Sequence, residues 1–316
     1  MGYFMKRLFL FAGYDCDGIV DDSLLWYLKS LSGLGDIVFV MDNDTTDVEI
    51  EKVRQIPNVL YANAVRHGEY DFGSYKRAYI WARDNKLLEK YDWVYLVNDS
   101  VLGPLFDLKP IVEDLESRGV DLTGLISYRE KNICEHLQSW FVGLSQHIAT
   151  AEFFNDFICS VKQEKNKSVI CAKYEFQLTN RAVRRGYKFS AYLDTEKYLD
   201  ETYHLMYHEP LLTLCLGCPF LKKSVAQKVL NKPFLLQHIE DENLMPILNK
   251  WAERMPPLPE KKYLYKPVLR LRIFGLQIIK IYRMTDTFGG AAELKYRVEL
   301  FGFLPFGFIH RIKHAK

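Results

Sequence analysis

The chain alternates between short blocks of apolar residues and longer blocks in which apolar residues recur every three or four positions. Leu8–Ala12, Ile37–Met41, Val59–Ala62, Trp93–Val97 and Leu122–Ser127 are the short blocks. Runs of that length read as strands buried on both faces. The longer blocks predict helices. Leu24, Leu25, Leu28 and Leu31 share one face of a helix over Asp21–Leu34, with Asp22 or Ser23 as its cap. Glu49–Arg54, Ser74–Glu89 and Pro110–Arg118 follow, the last with proline in its first turn. This alternation predicts the α/β class, a mostly parallel sheet flanked by helices. In such sheets ligands bind beyond the carboxyl ends of the strands. Three polar clusters stand at those ends: Asp15/Asp17, Asp42/Asn43/Asp44 and Asn98/Asp99/Ser100.

The pattern changes after Met255. Pro256-Pro257-Leu258-Pro259 reads as a stiff linker, which places a boundary between a domain over 1–255 and a tail over 256–316. In the tail, Arg272-Ile273-Phe274-Gly275-Leu276 is echoed by Glu299-Leu300-Phe301-Gly302-Phe303. Each copy is a β-prone segment broken by glycine, so the tail is expected to be a small β-rich appendage. Charge shifts at the same boundary. Residues 260–316 hold 12 Lys+Arg against 4 Asp+Glu, a net of +8, which leaves the rest of the chain at −6. A basic tail of this kind is expected to touch something anionic, foremost a membrane surface. Nucleic acid is not expected as a partner, because the body is net negative and the tail carries no recognised module.

A hydrophobic share of 48% with 26% charged residues excludes a disordered, collagenous or coiled-coil chain. No run approaches a membrane span, and the apolar run Leu8–Tyr14 is too short to predict a secretory signal. Six cysteines include one CxxC, Cys215–Cys218, with no second pair to complete a zinc site. Its apolar neighbours predict buried thiols, as in a reducing cytoplasm.

Three segments carry candidate chemistry. In Asn98-Asp99-Ser100, a carboxylate at a strand end suits Mg²⁺ or Mn²⁺, which keeps positions open for phosphate oxygens. In His67–Tyr75, two glycines permit close backbone approach, and Ser74 is expected to open the next helix. The free N–H groups of that helix start would suit a diphosphate. Tyr70 and Phe72 would stack on a base or sugar, and Lys76 and Arg77 would add charge. The third segment, Asp15-Cys16-Asp17-Gly18, resembles the first motif of haloacid-dehalogenase-like phosphatases. That resemblance implies Asp15 as nucleophile and Asp17 as acid.

Five segments, taken in order, carry a broader resemblance. They are Gly-Glu-Tyr-Asp-Phe-Gly-Ser-Tyr-Lys (68–76), Val-Asn-Asp-Ser-Val-Leu-Gly-Pro (97–104), His-Leu-Gln-Ser-Trp-Phe (136–141), Tyr-Glu-Phe-Gln-Leu (174–178) and Gly-Cys-Pro-Phe-Leu-Lys (217–222). Together they resemble the rhamnan synthesis F family of bacterial polysaccharide glycosyltransferases. That family is similar to GT-A glycosyltransferases. The resemblance implies a GT-A-like nucleotide-binding sheet and transfer of a sugar, rhamnose or another deoxy sugar, from a nucleotide-sugar donor. The acceptor implied is a growing bacterial surface glycan of a capsule, lipopolysaccharide or cell wall, free or lipid-linked.

By the same resemblance Asp71, Gly73, Ser74, Lys76, Arg77, Asn98, Ser100 and Lys222 are expected to bind the donor. Asp99 stands where GT-A enzymes carry Asp-x-Asp. With one carboxylate there, Mn²⁺ or Mg²⁺ would be held by Asp99 with His208. Without metal, Lys76, Arg77 or Lys222 would offset the leaving diphosphate. Glu175 is expected to be the carboxylate base beside the acceptor hydroxyl. His136, Gln138, Ser139 and Trp140 are expected to bind the acceptor. The enzyme would then work in the cytoplasm, peripheral to the inner face of the plasma membrane. A phosphatase on Asp15/Asp17 and a non-catalytic glycan-binding protein are the competing expectations.

Overall fold

The computed structural model describes residues 5–129, 135–194, 204–230, 232, 235 and 237–256 in full. It adds four backbone strands over 263–273, 276–286, 295–300 and 304–310. The chain divides into two compact units, Met1–Met255 and Pro256–Lys316.

In the first unit the apolar blocks form the strands they predict. β1 (Arg7–Gly13), β2 (Asp36–Met41), β3 (Val59–Ala64) and β4 (Trp93–Asn98) lie in the order β3-β2-β1-β4, all parallel. After β5 (Val101–Leu102) come β6 (Leu122–Tyr128), β7 (His136–Leu137), β8 (Phe141–Ser145) and β9 (Phe189–Asp194). β8 runs antiparallel between β4 and β6, β7 pairs antiparallel with β6, and β9 parallel to it. The result is a mostly parallel, mixed eight-stranded sheet.

Helices cover both faces, which is why the strands are apolar at successive positions. Phe9 and Phe11 of β1, with Phe39 and Met41 of β2, pack on α1 (Asp22–Ser32), α2 (Asp47–Arg54) and the helix Lys109–Ser117. Leu8, Leu10 and Ala12 point the other way, onto α3 (Tyr70–Asp84), the helix Glu152–Cys159 and the helix Phe176–Val183. Burying one such Phe or Leu contributes about 1.5–3 kcal/mol.

Among the helix starts that differ from the sequence reading, two have a clear local cause. α1 is capped by Asp21, whose Oδ1 accepts the Leu24 N–H at 2.9 Å and the Ser23 hydroxyl at 2.7 Å. α3 begins at Tyr70, four residues before Ser74. Gly68 and Tyr70 both hold positive φ, +67° and +57°, and this turns the chain into the helix early. Such a φ is strained for a bulky residue.

A third apolar cluster joins Leu102, Leu105, Leu221, Leu244 and Trp251 beside the sheet. It seats β10 (Leu221–Lys222), which pairs antiparallel with β5. Gly103 makes this approach possible. Its φ is +130°, and a Cβ there would stand 2.5 Å from the Pro219 carbonyl oxygen. Of the CxxC thiols only Cys218 is buried. Cys215 ends the short helix Pro210–Cys215 and is exposed. Among the described residues no helix is long and apolar enough to cross a membrane.

The second unit is a four-stranded antiparallel meander, β11 (Tyr263–Ile273), β12 (Leu276–Asp286), β13 (Lys295–Leu300) and β14 (Leu304–His310). It has the β-rich character expected from the sequence. The central glycines of the near-repeat, Gly275 and Gly302, lie outside the described residues.

Candidate active site

Because β1 to β4 are parallel, their carboxyl ends meet along one edge of the sheet. The chain steps from β1 to β2 and β3 on one side and reaches β4 on the other. This makes the gap between β1 and β4 a topological switch point, where such sheets hold ligands. A cleft of about 620 Å³ opens there. Its walls are strand-end residues (Gly13, Tyr14, Asp42, Arg66, Asp99 and Ser100), Gly68 with Tyr70 and Asp71 at the start of α3, and Gln163, Glu164, Lys165 and Lys167 with Lys223.

The antiparallel return of β7 and β8 brings a second set of residues to the same edge. A second cleft of about 580 Å³ lies there, lined among others by His136, Gln138, Ser139, Trp140, Glu175, His204 and Lys222. Asp71, Ser100, Lys167 and Lys223 line both clefts.

The boundary between the clefts is a chain of part-buried hydrogen bonds. Lys222 Nζ donates to Ser100 Oγ at 2.8 Å. Ser100 Oγ donates to Asn98 Oδ1 at 2.6 Å, and Asn98 Nδ2 donates to Asp71 Oδ2 at 2.9 Å. Lys222 is 7% exposed, and its Nζ lies 5.2 Å above the Trp140 ring. Burial pulls this ammonium down to about 8, so it is still charged at neutral pH. Burial, with the Asp99 charge nearby, pushes the Asp71 carboxyl up to about 6. Asp99 is 8% exposed. Its Oδ2 accepts the Tyr14 N–H at 3.3 Å and Lys223 Nζ at 3.4 Å. Burial raises its carboxyl above the ordinary value, against the pull of Lys223.

In the second cleft, Glu175 closes a π-helical turn (Cys171–Glu175) inside a continuous helical run from Lys167 to Val183. It lies within that run and not at its start, so no helix terminus sets the charge of its carboxylate. Its Oε1 accepts the Ser139 N–H at 3.1 Å, which aims the carboxylate at the acceptor-side residues. Gln138 bridges Trp140 and His204. Its Oε1 accepts the indole N–H at 2.9 Å and its amide meets His204 Nε2 at 2.9 Å. Burial, with the charge of Lys222, lowers His204 to about 3, so this imidazole is neutral. His136 is buried with its ring 4.5 Å from Phe176.

Other expected site residues are placed elsewhere. Gly73 and Ser74 lie inside α3, and Ser74 Oγ meets His67 Nε2 at 3.0 Å. Ser74 therefore offers no helix start to an anion. Lys76 and Arg77 both pair with Glu69 at 2.7 Å and line neither cleft. Phe72 is core, whereas Tyr70 is 42% exposed on the first cleft. His208 ends the helix Leu205–His208 with its Nδ1 3.0 Å from the His204 carbonyl oxygen, and it does not line the cleft of Asp99. Asp15 is held by Arg254, whose guanidinium reaches its two oxygens at 2.6 and 2.9 Å. Burial pushes the Asp15 carboxyl up, but Arg254 together with the N–H groups of Asp17 and Ile19 outweighs it and holds the group below its usual range. An aspartate so engaged is a poor nucleophile, and the phosphatase arrangement loses its central group.

Sequence reasoning missed Tyr14, Arg66, Lys167, Lys223, His204 and Tyr207 as cleft residues. Lys223, adjacent to Lys222, was the one with a local signal.

A family model described as rhamnan synthesis protein F matches residues 37–254, well over half of the chain. No curated protein matches it.

Proposed function

The chain belongs to the rhamnan synthesis protein F family, and from that premise we propose that it is a glycosyltransferase with two substrates in two adjoining clefts. The nucleotide-sugar donor occupies the first cleft and the glycan acceptor the second. The carrying observation is the shared wall: Asp71, Ser100, Lys167 and Lys223 face both clefts, so a group bound in one meets a group bound in the other.

On this reading Tyr70 stacks on the nucleobase or sugar, and the diphosphate lies toward Lys223 and Lys167. The acceptor rests among His136, Gln138, Ser139 and Trp140. Its hydroxyl attacks the anomeric carbon, and Glu175 takes the proton. The bond from that carbon to the diphosphate oxygen breaks, and its electron pair leaves with the phosphate. The transition state has oxocarbenium character, as in glycoside hydrolysis. Asp71, at the junction, accepts a hydroxyl of the transferred sugar. Rhamnose or a related deoxy sugar is the donor class the family description favours, and a bacterial surface polysaccharide the product. The +8 tail would hold the enzyme at an anionic membrane, each near-surface basic residue contributing about 1 kcal/mol.

A thermal-shift screen against nucleotides and nucleotide-sugars tests the reading. A ligand at about 100 times its dissociation constant adds roughly 2.7 kcal/mol to stability. A melting shift confined to one nucleotide class is the expected result. No shift with any nucleotide, in folded protein, would remove the donor cleft from the account.

A further inference from the structure

Glycosyl transfer from a nucleotide donor leaves a diphosphate whose growing charge must be met. A divalent cation is one solution, and Asp99 is the group that would hold it. The atoms around Asp99 are poorly suited to that task. Lys223 Nζ stands 3.4 Å from its Oδ2, so an incoming dication would face an ammonium already in place. Two neighbouring neutral oxygens are committed, and Asp71 Oδ2 already accepts from Asn98. Asn98 Oδ1 accepts both the backbone N–H and the hydroxyl of Ser100, and Ser100 Oγ accepts from Lys222. His208 lines neither cleft. Among the described residues the one close grouping of three potential ligand side chains is Asp15–Cys16–Asp17. There Arg254 already occupies Asp15.

We infer that Lys223, with Lys167 and Lys222, meets the leaving diphosphate in this site in place of a divalent cation. The inference rests on the transferase reading. The three lysines arrive from separate elements: Lys222 on β10, Lys223 directly after it, and Lys167 at the start of the helical run that carries Glu175. Lys223 and Lys167 face both clefts, where the bond to be broken would lie. An ammonium serves a phosphate as a compact point charge, and three of them from a fixed frame need no reorganisation as charge develops. As the anomeric carbon–oxygen bond breaks, the electron pair stays on the diphosphate oxygen and these cations offset it. Glu175 holds the acceptor's proton. Asp99 then serves to hold Lys223 in position.

Calorimetric titration of the full chain with UDP, dTDP and GDP tests this, first with EDTA and then with millimolar Mn²⁺. The expected result is that at least one nucleotide binds, with affinities in the two buffers agreeing within about twofold. Lys223→Ala should weaken that nucleotide about tenfold or more, and Lys223→Arg should retain most of the affinity, each with a wild-type circular dichroism spectrum. Should Lys223→Ala fail to fold, the comparison of buffers on the wild-type chain still decides the matter. Binding lost in EDTA and restored by Mn²⁺, with a Mn²⁺ paramagnetic resonance signal removed by Asp99→Asn, would overturn the inference and leave the transferase standing. Folded protein that binds none of the three in either buffer would overturn both.

Discussion

The two clefts share a wall but are built in different ways. The first is made of strand ends and turns. Tyr14, Asp42, Arg66 and Asp99 all follow the last residues of parallel strands, and backbone geometry places them. Asp42 shows the pattern: its Oδ1 accepts the N–H groups of His67 and Gly68 at 2.8 and 3.0 Å and so fixes the turn into α3. The second cleft is made of buried side chains that hold one another. His136, Gln138, Trp140 and Lys222 are all nearly inaccessible. Their positions depend on contacts between segments far apart in sequence, as with Ser139 and Glu175. In a wall of mutually bonded buried groups each loss leaves a partner from a distant segment unsatisfied.

That contrast breaks most sharply at Glu175. Glu175→Gln should lower sugar transfer by about 10²–10⁴-fold, the usual range for a lost general base. Nucleotide affinity should stay within about twofold, since Glu175 lines the second cleft and not the first. Parallel single-turnover rates and nucleotide titrations check this, and an equal loss in both would mean that the clefts are not separate in function. Next comes the shared wall. Asn98→Ala strips partners from Asp71 and Ser100 together. It should cost about 1–3 kcal/mol of stability in chemical denaturation and weaken donor and acceptor alike.

Tyr70 sharpens the comparison from the first cleft. Tyr70→Gly relieves a positive φ and should raise stability by about 1 kcal/mol, while weakening the nucleotide by about 1–3 kcal/mol through lost stacking. A variant that gains stability and keeps full affinity would show that Tyr70 does not touch the ligand. Asp71, whose carboxyl is raised in the fold to about 6, probes the shared wall through pH. Between the unfolded value near 4 and the folded value, the native state keeps a proton that the unfolded chain has lost. This group therefore favours folding less as pH rises through that window. Asp71→Asn should melt higher than wild type at pH 7, and the advantage should vanish as pH falls to about 4. Melting curves of the two proteins across pH measure the difference directly.

Much of the first cleft was legible in the sequence, for a physical reason. Strands buried on both faces must be apolar throughout, so β1, β2 and β4 announce themselves and the polar residues after these three mark the ligand edge, whereas β3 is largely half-buried, contrary to its apolar pattern. Less was legible where distant contacts decide. β10 is two residues long and exists because β5 and Gly103 receive it. Nothing local to Leu221-Lys222 specifies a strand. The tie between Arg254 and Asp15 spans 239 positions, and without it Asp15 looks like a free nucleophile. The start of α3 is not readable locally because a tyrosine takes a φ that sequence rules reserve for glycine. Lys76 and Arg77 looked like phosphate ligands, but Glu69 holds both. For the second cleft, His136–Trp140 and Glu175 were named from a family resemblance. Their burial and bonding explain how they come together, and no local pattern states it.

The claim that donor and acceptor occupy different clefts is tested most directly by hydrogen–deuterium exchange on the full chain, with and without a saturating nucleotide-sugar. The account predicts slowed exchange at 66–71, 99–100 and 163–167, with 136–140 unchanged until an acceptor glycan is added. Protection that appears first at 136–140, with the strand-end segments unaffected, would contradict it.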